Sequence, residues 1–267
     1  MFLEDCKVLE NYQVGDNYYL MKIESKKASQ ESKAGQFFML KVKNEMRILR
    51  RPISLHYVDK DKNILEFYYE VKGSGTKEFR DLKENDTLNI QGPLGTGFTT
   101  DVREKTCVVI GGGMGIAPTK LLIDNLKKEN KVIFIAGGRD KGAVEILKNI
   151  DLENVEVHIT TDDGSVGEKG NVVSALEKVL ENKKVDMVQT CGPHKMMEAV
   201  AETAGKKDVF CEISLEERMA CGIKACVGCS IKTLDGMKKV CHDGPVFDSK
   251  IIVDVDPAEK VGCSCSK

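Results

Sequence analysis

The chain has 267 residues, of which 41% are hydrophobic and 31% charged, and its formal net charge at pH 7 is −2. This composition is typical of an ordinary globular protein and excludes a disordered or fibrous chain. No run of lysine and arginine is dense enough to follow a phosphate backbone, so nucleic acid is not expected as a partner. The length is sufficient for two or three compact domains.

The amino-terminal segment and the cysteine content indicate the compartment. MFLEDCKVLE has acidic residues where a signal peptide has a basic segment followed by an apolar one. No window has the unbroken apolar length of a membrane helix, so no membrane association is expected. We therefore expect a cytoplasmic protein whose ten cysteines stay reduced, in which a tight group of cysteines marks a metal or redox site.

Residues 1–100 carry a pattern of short strands. Runs rich in β-branched and aromatic residues alternate with turn residues, and no helical pattern intervenes. The runs are YYLMKIES, GQFFMLKV, RPISLHYV, ILEFYYEV and TLNIQG. Strands at this spacing predict a small antiparallel β-barrel or sandwich.

Residues 101–211 have a different rhythm, in which strand-like runs alternate with helical patterns. The runs lie at 106–110, 131–136, 155–160, 185–190 and 208–211. In one helical pattern, apolar residues recur at helix spacing on one face, at Val172, Leu176, Val179 and Leu180. Strict alternation predicts a doubly wound parallel sheet with helices on both faces, an α/β domain of nucleotide-binding type.

Residues 212–267 form a short segment rich in cysteine and glycine that ends in an extended run, SKIIVDVDP. Four cysteines have the spacing C-x4-C-x2-C-x11-C, at Cys221, Cys226, Cys229 and Cys241. This is the plant-type ferredoxin spacing for a 2Fe-2S cluster, and the small residues between the cysteines let the backbone wrap closely around one. A structural zinc site is the alternative. Such a site usually has two C-x2-C pairs, whereas these cysteines include only one, so the spacing favours the cluster.

The remaining cysteines have no pattern that indicates chemistry. Cys107 and Cys211 lie in predicted buried strands, where a free thiol behaves as a small apolar group, and Cys6 is interpreted in the same way. Cys263 and Cys265 lie in the tail VGCSCSK. They could add ligands, but we expect a frayed terminus without a function there.

Two glycine turns in the α/β domain are candidates for a dinucleotide site. CVVIGGGMGIAPTKLL is a strand that runs into a glycine turn and a helix, which offers backbone N–H groups to a pyrophosphate. Its candidate residues are Gly111, Gly112, Gly113, Gly115, Ile116, Ala117 and Pro118. The second turn, TCGPHKMM, would close on the nicotinamide through Cys191, Gly192 and Pro193. Tight strand-to-helix packing is the alternative explanation of such glycines.

The choice between NADH and NADPH depends on the segment GGRDK. Arg139 could receive a 2′-phosphate there, or it could be a solvated loop charge. We favour NADH.

In the first domain, RRPISLHY and VKGSGTKEF are candidates for a second cofactor site. Arg51 beside the rigid Pro52 can pair with a phosphate, and Ser54 can offer a hydroxyl to a ring edge. A plain barrel strand would explain the same tetrapeptide.

Taken together, these segments resemble the ferredoxin–NADP reductase superfamily and, within it, the electron-transfer subunits of NAD-linked, two-subunit class B dihydroorotate dehydrogenases. The resemblance covers essentially the whole chain. It rests on RPIS, GSGT, GPLGTGF, GGGMGIAP, CGPHKMM and SLEERMACGIKACVGC…VCHDGPVF, in that order. It implies a flavin-binding barrel with FAD over 1–100, an NAD domain over 101–211 and a 2Fe-2S domain over 212–267.

The resemblance also implies roles for single residues. All four residues of the RPIS segment would contact the flavin, Arg51 toward a phosphate, Ser54 near the N5 atom, and Pro52 and Ile53 between them. Many superfamily members have an aromatic residue at the position of Ile53, so an aliphatic flavin contact is expected here. The resemblance implies that the flavin ring or ribityl chain is lined by Tyr68, Tyr69 and Glu70. It implies that the pyrophosphate is held by Gly75 and Thr76.

The activity that the resemblance implies is electron transfer. Electrons would come from a separate FMN-containing catalytic subunit that oxidises dihydroorotate in pyrimidine biosynthesis, and would pass through the cluster and FAD to NAD+. The chain would be part of a hetero-oligomer, and no side chain is expected to act as acid or base. Two alternatives stay open: a related NAD(P)H-linked reductase with ferredoxin, a sulfide-linked enzyme or another flavoprotein as partner, and a structural zinc-binding interaction module.

Overall fold

A computed structural model of the chain describes residues 1–43 and 46–253, which form two seven-stranded sheets and one small hairpin. The predictions for Cys263 and Cys265 lie outside the described residues. Within the described part of the chain, no helix has the length and apolar character needed to span a membrane.

The first sheet is antiparallel and has the strand order β4-β3-β7-β1-β2-β6-β5. Its strands are β1 (Phe2–Gln13), β2 (Tyr18–Glu24), β3 (Phe37–Leu40), β4 (Arg51–Ser54), β5 (Tyr57–Asp59), β6 (Ile64–Glu70) and β7 (Thr87–Leu94). Alternate side chains fill the interior, where the rings of Phe38 and Phe67 meet edge to face at 5.3 Å. The predicted antiparallel barrel is confirmed.

Three local predictions in this domain are wrong. The sequence reading missed β1, in which the buried Cys6 and Val8 alternate with the exposed, charged Asp5 and Lys7. The run RPISLHYV forms two strands, because β4 pairs with β3 whereas β5 pairs with β6. The chain turns between them at the buried corner Leu55–His56. Helices also intervene where none were predicted, namely α1 (Ala28–Glu31) and α2 (Ser74–Arg80).

The second sheet is parallel except for its last strand and has the order β11-β10-β9-β8-β12-β13-β16. The parallel strands are β8 (Thr106–Gly112), β9 (Lys131–Gly138), β10 (Val155–Thr161), β11 (Glu168–Lys169), β12 (Met187–Cys191) and β13 (Phe210–Ser214). The helices are α3 (Thr119–Leu126), α4 (Val172–Asn182) and α5 (His194–Lys206).

Both faces of the second sheet are covered, as predicted. Leu122 of α3 packs in the same core as Val109 and Phe134, whereas Leu176 of α4 belongs to the core on the opposite face with Ile135. The strict alternation is wrong at one point, because a 3₁₀ turn (Glu145–Asn149) replaces an α-helix between β9 and β10. The predicted apolar face of α4 is correct: Val172, Leu176 and Val179 are buried, and Leu180 is half-buried.

The carboxyl-terminal segment contacts both larger units. It forms a hairpin of β14 (Ser230–Thr233) and β15 (Gly236–Lys239), and it then adds β16 (Val246–Asp248) antiparallel to β13. The predicted extended run fails at Ser249–Ile251, a 3₁₀ turn that Asp248 caps by accepting a hydrogen bond from the Lys250 N–H at 2.9 Å. The domain boundaries at 100 and 211 stay a prediction.

A buried carboxylate joins the linker after the barrel to the second sheet. Glu212 on β13 is 8% exposed and accepts hydrogen bonds from the backbone N–H of Thr99 at 3.0 Å, the Thr99 hydroxyl at 2.7 Å and the Gln189 amide at 2.7 Å. Three donors on one buried carboxylate compensate for its desolvation. Glu212 therefore fixes the point where the chain passes from one domain to the next.

Removing this carboxylate should destabilise the protein. Glu212→Ala removes the acceptor of the half-buried Thr99 donors and of one N–H of the buried Gln189 amide, so the free energy of unfolding should fall by about 2–3 kcal/mol. Glu202→Ala is the control, because Glu202 makes only an exposed ion pair with Lys206, and it should change stability by less than about 0.5 kcal/mol. Urea denaturation followed by circular dichroism measures both. Equal denaturation midpoints for the two variants would contradict this role.

Candidate functional site

A cleft of about 560 Å³ separates the barrel from the second sheet. Tyr18, Glu70 and Lys72 line it from the barrel side. Most of the opposite wall consists of residues at, or just after, the carboxyl ends of β8, β9, β10 and β12. This edge of a parallel sheet is where open α/β folds bind ligands.

The two predicted glycine turns meet at the floor of this cleft. A Cβ atom on Gly115 would lie 2.3 Å from the carbonyl oxygen of Cys191 and 2.6 Å from the Cα of Gly192. A Cβ atom on Gly112 would lie 2.3 Å from the sulfur of Met196. Close packing thus explains Gly112 and Gly115, although both also line the cleft.

Gly113 is different, because it has a φ of +54° and open space where a Cβ would be. That backbone conformation favours glycine without any packing constraint.

The structure brings only some of the predicted dinucleotide residues to the cleft surface. Those that line it are Gly112, Gly113, Gly115, Gly192 and Pro193. Those that lie in the packing behind it are Gly111, Ile116, Ala117, Pro118 and Cys191. The Cys191 side chain is 2% exposed, and burial raises the pKa of its thiol. Cys191 thus contributes its backbone to the contact with Gly115.

Polar groups in the cleft fit a dinucleotide. Thr160 is buried and lines the cleft, and its hydroxyl has no hydrogen-bond partner within the described residues. Such a group is costly unless a ligand or water pairs with it. Arg139 and Asp162 also line the cleft, both exposed. The sequence reading singled out Arg139 but missed Thr160 and Asp162.

The strand β4 (Arg51–Ser54), called the flavin strand below because flavin contacts are predicted for it, lies beside the first turn of α2. A Cβ atom on Gly75 would be 2.5 Å from Nε of Arg51, so a larger residue there would displace the guanidinium from this position. The Thr76 hydroxyl oxygen accepts hydrogen bonds from the N–H groups of Lys72 at 3.0 Å and Gly73 at 3.2 Å. Arg51 and the GSGT segment, which were predicted as separate flavin contacts, thus lie in contact with each other. A guanidinium beside the first turn of a helix is a place where an anion would be stabilised.

A smaller cavity of about 120 Å³ lies between the flavin strand and the segment that leads to the cysteines. Pro52 and Ser54 line one side, and Leu215, Glu216 and Met219 line the other. Glu216 also lines the large cleft. The Glu216 side chain is exposed to these cavities, but their protein walls keep much of the bulk water away from its carboxyl group. This desolvation raises the pKa of Glu216, whereas the nearby His194 lowers it. The sequence reading missed Glu216.

The other predicted flavin residues are in different places. Glu70 lines the large cleft, and Ile53 is half-buried against the barrel core. Tyr68 stacks on Tyr18 at 5.8 Å, whereas Tyr69 donates its hydroxyl hydrogen to Asn11 Oδ1 at 3.0 Å. Both tyrosines are buried in the barrel and line neither cavity.

The four predicted cysteine ligands form two neighbouring pairs. The backbone N–H of Cys226 donates to Sγ of Cys221 at 3.3 Å, and the N–H of Cys241 donates to Sγ of Cys229 at 3.5 Å. The β14–β15 hairpin causes the second pairing, because Cys229 directly precedes β14 and Cys241 closely follows β15. Two pairs of thiols are the ligand set of a two-iron cluster.

The loop around the first pair turns its N–H groups inward. Gly222, Lys224 and Val227 have φ values of +67°, +67° and +53°, and such left-handed turns form concave nests of N–H groups that favour anions. Hydrogen bonds, first of all from the Gly228 N–H, lower the pKa of the exposed Cys226 thiol to about 7. The thiolate is the form that binds metal. In the described part of the chain, no group of three or more His, Cys, Asp or Glu side chains lies close enough together to hold a metal ion.

The cysteine loop lies directly on the barrel. A Cβ atom on Gly222 would be 2.8 Å from Cγ of Met39, and the Gln91 amide donates to the Cys221 carbonyl oxygen at 3.3 Å. Met39 is paired with Pro52 across β3 and β4. The cysteine loop and the flavin strand are therefore separated by one strand.

Three family models match the chain in the predicted order. Residues 5–98 match an oxidoreductase FAD-binding domain, and 109–202 match an oxidoreductase NAD-binding domain. Residues 216–253 match the iron–sulfur cluster binding domain of dihydroorotate dehydrogenase B. The predicted fold and the predicted cofactors FAD, NAD and 2Fe-2S cluster are confirmed.

Curated relatives decide the family. "Dihydroorotate dehydrogenase B (NAD(+)), electron transfer subunit" from Caldanaerobacter subterraneus subsp. tengcongensis is 38% identical over 246 residues, which are 91% of this chain and 95% of the relative. The chain belongs to this family. The protein of the same name from Clostridium acetobutylicum is also 38% identical, over 90% of this chain and 93% of its own length. Membership identifies an oxidoreductase subunit, and the alternative of a structural zinc-binding module is wrong.

A solved structure shows the same architecture. It is described as the NADH-dependent reduced ferredoxin–NADP oxidoreductase, in a study of flavin-based electron bifurcation. The TM-score is 0.85 at 26% identity, with 96% of this chain and 91% of the other covered. A ferredoxin reductase of carbazole 1,9a-dioxygenase shares the fold over 78% of this chain and 66% of its own, with a TM-score of 0.67 at 19% identity.

The contact between the glycine turns should be sensitive to one methyl group. In Gly115→Ala, the new Cβ would overlap the backbone of Cys191 and Gly192, which cannot move aside as a flexible side chain does. We expect a dissociation constant for NADH at least about tenfold higher, together with lower stability. The dependence of the flavin bleaching rate on NADH concentration, followed by anaerobic stopped flow, measures the constant.

Gly205→Ala is the matched control, because a Cβ at Gly205 in α5 meets nothing within 4 Å. It should leave NADH binding unchanged and slightly stabilise the helix. Unchanged NADH binding in Gly115→Ala would contradict the packing argument.

Proposed function

We propose that this protein is the electron-transfer subunit of an NAD-linked dihydroorotate dehydrogenase. Electrons from a separate FMN-containing catalytic subunit would pass through the 2Fe-2S cluster and FAD to NAD+. The observation that carries the proposal is the arrangement of the two cysteine pairs, the flavin strand and the dinucleotide cleft around one junction, in a chain of this family. FAD, when bound, can exchange electrons singly with a cluster and in pairs with NAD(H).

The barrel residues would bind and orient the flavin. Arg51 would pair with its phosphate beside Gly75, and Ser54 would lie at the ring edge, as the cavity that Ser54 shares with Glu216 supports. Thr76 shapes this site by ordering the backbone of Lys72 and Gly73. These groups would fix the position of the flavin relative to both neighbouring cofactors.

The second domain would bind NAD(H) in the large cleft. Gly113 and Gly192 let the dinucleotide approach the backbone, and Thr160 would donate its unpaired hydroxyl hydrogen to it. Asp162 supports NADH over NADPH, because a carboxylate accepts hydrogen bonds from a ribose diol and repels a 2′-phosphate. Arg139 at the same wall would then pair with the pyrophosphate or remain solvated.

The cysteine loop would hold the cluster and face the partner. Cys221 and Cys226 lie in a loop with exposed Ile223 and Val227, whereas Cys229 and Cys241 are buried. An exposed edge next to the first pair suits electron entry from a separate chain. The names of the relatives imply such a catalytic partner.

The similar solved structure suggests the second candidate, a reductase with ferredoxin as its partner. One experiment separates the two. The purified protein is mixed anaerobically with a dihydroorotate dehydrogenase catalytic subunit or with reduced ferredoxin, and NADH formation is followed at 340 nm. Dihydroorotate-dependent NADH formation supports the proposed function, whereas formation with reduced ferredoxin alone supports the second candidate.

Arg51 should determine FAD affinity. Arg51→Ala removes a charge-assisted contact, which is worth about 1.5–3 kcal/mol, so FAD should dissociate about 10 to 100 times more readily. FAD released per chain after extensive dialysis is the measurement. Arg103→Ala is the control, since Arg103 makes an exposed ion pair with Glu129. Full FAD retention in Arg51→Ala would remove Arg51 from the site.

Cys226 should be needed for the cluster but not for the flavin reaction with NADH. Cys226→Ser should lower cluster iron and acid-labile sulfide severalfold, because an alkoxide is a much poorer iron ligand than a thiolate. Bleaching of the flavin by NADH should stay within about threefold of wild type. Ala225→Ser is the matched control that keeps all four thiols. Parallel loss of both activities in Cys226→Ser would contradict separate sites.

A further inference from the structure

His56 links the flavin strand to the dinucleotide-binding turn. It lies in the corner between β4 and β5, two residues after Ser54, and is fully buried. Its backbone is held by a hydrogen bond from its N–H to the Glu66 carbonyl oxygen at 2.9 Å. The backbone that carries the imidazole is therefore fixed to the barrel.

The imidazole reaches into the other domain. Nδ1 of His56 lies 2.6 Å from the carbonyl oxygen of Ala117. Ala117 follows the 3₁₀ turn Gly113–Ile116, and its N–H donates to the Met114 carbonyl oxygen at 3.0 Å. Gly113 and Met114 line the dinucleotide cleft. One hydrogen bond thus connects the strand of the flavin cavity to the turn of the dinucleotide cleft.

The chemistry of this contact defines the state of the ring. A carbonyl oxygen can only accept, so Nδ1 must carry a hydrogen. Burial, together with the nearby Lys120 cation, lowers the pKa of His56 to about 3, so the ring is neutral. Nε2 is then an acceptor, and it has no partner within the described residues. The donor function of His56 therefore belongs to Nδ1.

We propose that His56 is a positioning residue that sets the dinucleotide-binding turn against the flavin strand through its Nδ1–H group. The inference rests on the proposed function, in which hydride passes between nicotinamide and flavin across this junction. Hydride transfer is sensitive to small displacements of the reacting atoms, of the order of 1 Å. The contact should therefore affect the rate of transfer more than the binding of either cofactor.

Two amide substitutions separate donor position from ring packing. Asparagine places its amide nitrogen where His56 has Nδ1, whereas glutamine places it where His56 has Nε2. Both lose the ring contact with Tyr68, whose centroid lies 5.7 Å away. Under a merely structural role, the two variants would be impaired alike.

The experiment uses the purified holoprotein with FAD and cluster. Flavin bleaching by NADH is followed by anaerobic stopped flow over a range of NADH concentrations, and FAD content and denaturation midpoint are measured in parallel. His56→Asn should keep the saturating rate within about threefold, and His56→Gln should lose between about 10-fold and 100-fold with unchanged FAD content. Equal rates in the two variants would overturn the inference. If the wild-type flavin is not bleached by NADH, the proposed function is wrong, and the inference falls with it.

A second readout does not depend on activity. The chain has four histidines, so nitrogen-15 spectra of histidine-labelled wild-type protein are simple. His56 should show a neutral Nδ1–H tautomer that does not titrate between pH 5 and 8. An Nε2–H tautomer, or a charged ring in that range, would overturn the inference even if neither variant folds.

Discussion

The structure depends on one tight junction between the end of the barrel and the carboxyl-terminal segment. The N–H of Thr96 donates to the Gly244 carbonyl oxygen at 2.5 Å, and a Cβ atom on Gly95 would lie 2.2 Å from that same oxygen. Directly after this junction, β16 pairs with β13 of the second sheet. The cysteine segment is thus fixed to both larger domains, although it is too small to bury a core of its own.

This arrangement suits the chemistry of a relay. A cluster exchanges single electrons and NAD(H) exchanges pairs, so the group that converts between them must lie next to both. The flavin strand has the cysteine loop on one side, through Met39 and Gly222, and the dinucleotide turn on the other, through His56 and Ala117. Each neighbour is held by a contact outside the cofactor itself. The protein thereby determines the distances between the three cofactor sites, and the cofactors carry out the electron transfer.

Local patterns in the sequence were sufficient for the fold class and for the presence of a 2Fe-2S cluster domain. The cysteine spacing predicted four ligands, and the alternation of strands and helices predicted the parallel sheet. The pattern could not reveal β1, because charged residues on its solvent face dilute the apolar signal of Cys6 and Val8. It also could not show that Gly115 is needed for packing against Cys191, since that contact joins positions that are distant in sequence.

The residues that the sequence reading missed share a physical feature. Thr160 and Asp162 lie outside every motif, whereas Glu216 and His56 lie in motif segments whose other residues carry the pattern. Each of the four gains meaning only from what the tertiary fold places beside it. Tyr68 and Tyr69 illustrate the converse. Their sequence position predicts a flavin contact, which stays a prediction, and the structure shows both side chains buried. As neighbours in β6 they point to opposite faces, Tyr68 toward Tyr18 and Tyr69 toward Asn11. Sequence spacing defines which residue types are present, whereas register and domain contacts define which of them face a ligand.

The most direct test of the relay is an anaerobic titration of the purified protein with NADH, in which the visible spectrum is followed and iron and acid-labile sulfide are assayed. If the relay operates, NADH bleaches the flavin first and the cluster is then reduced, with two irons per chain as a 2Fe-2S centre requires. Zinc in place of iron, or a flavin that NADH does not bleach in protein protected from oxygen, would contradict it.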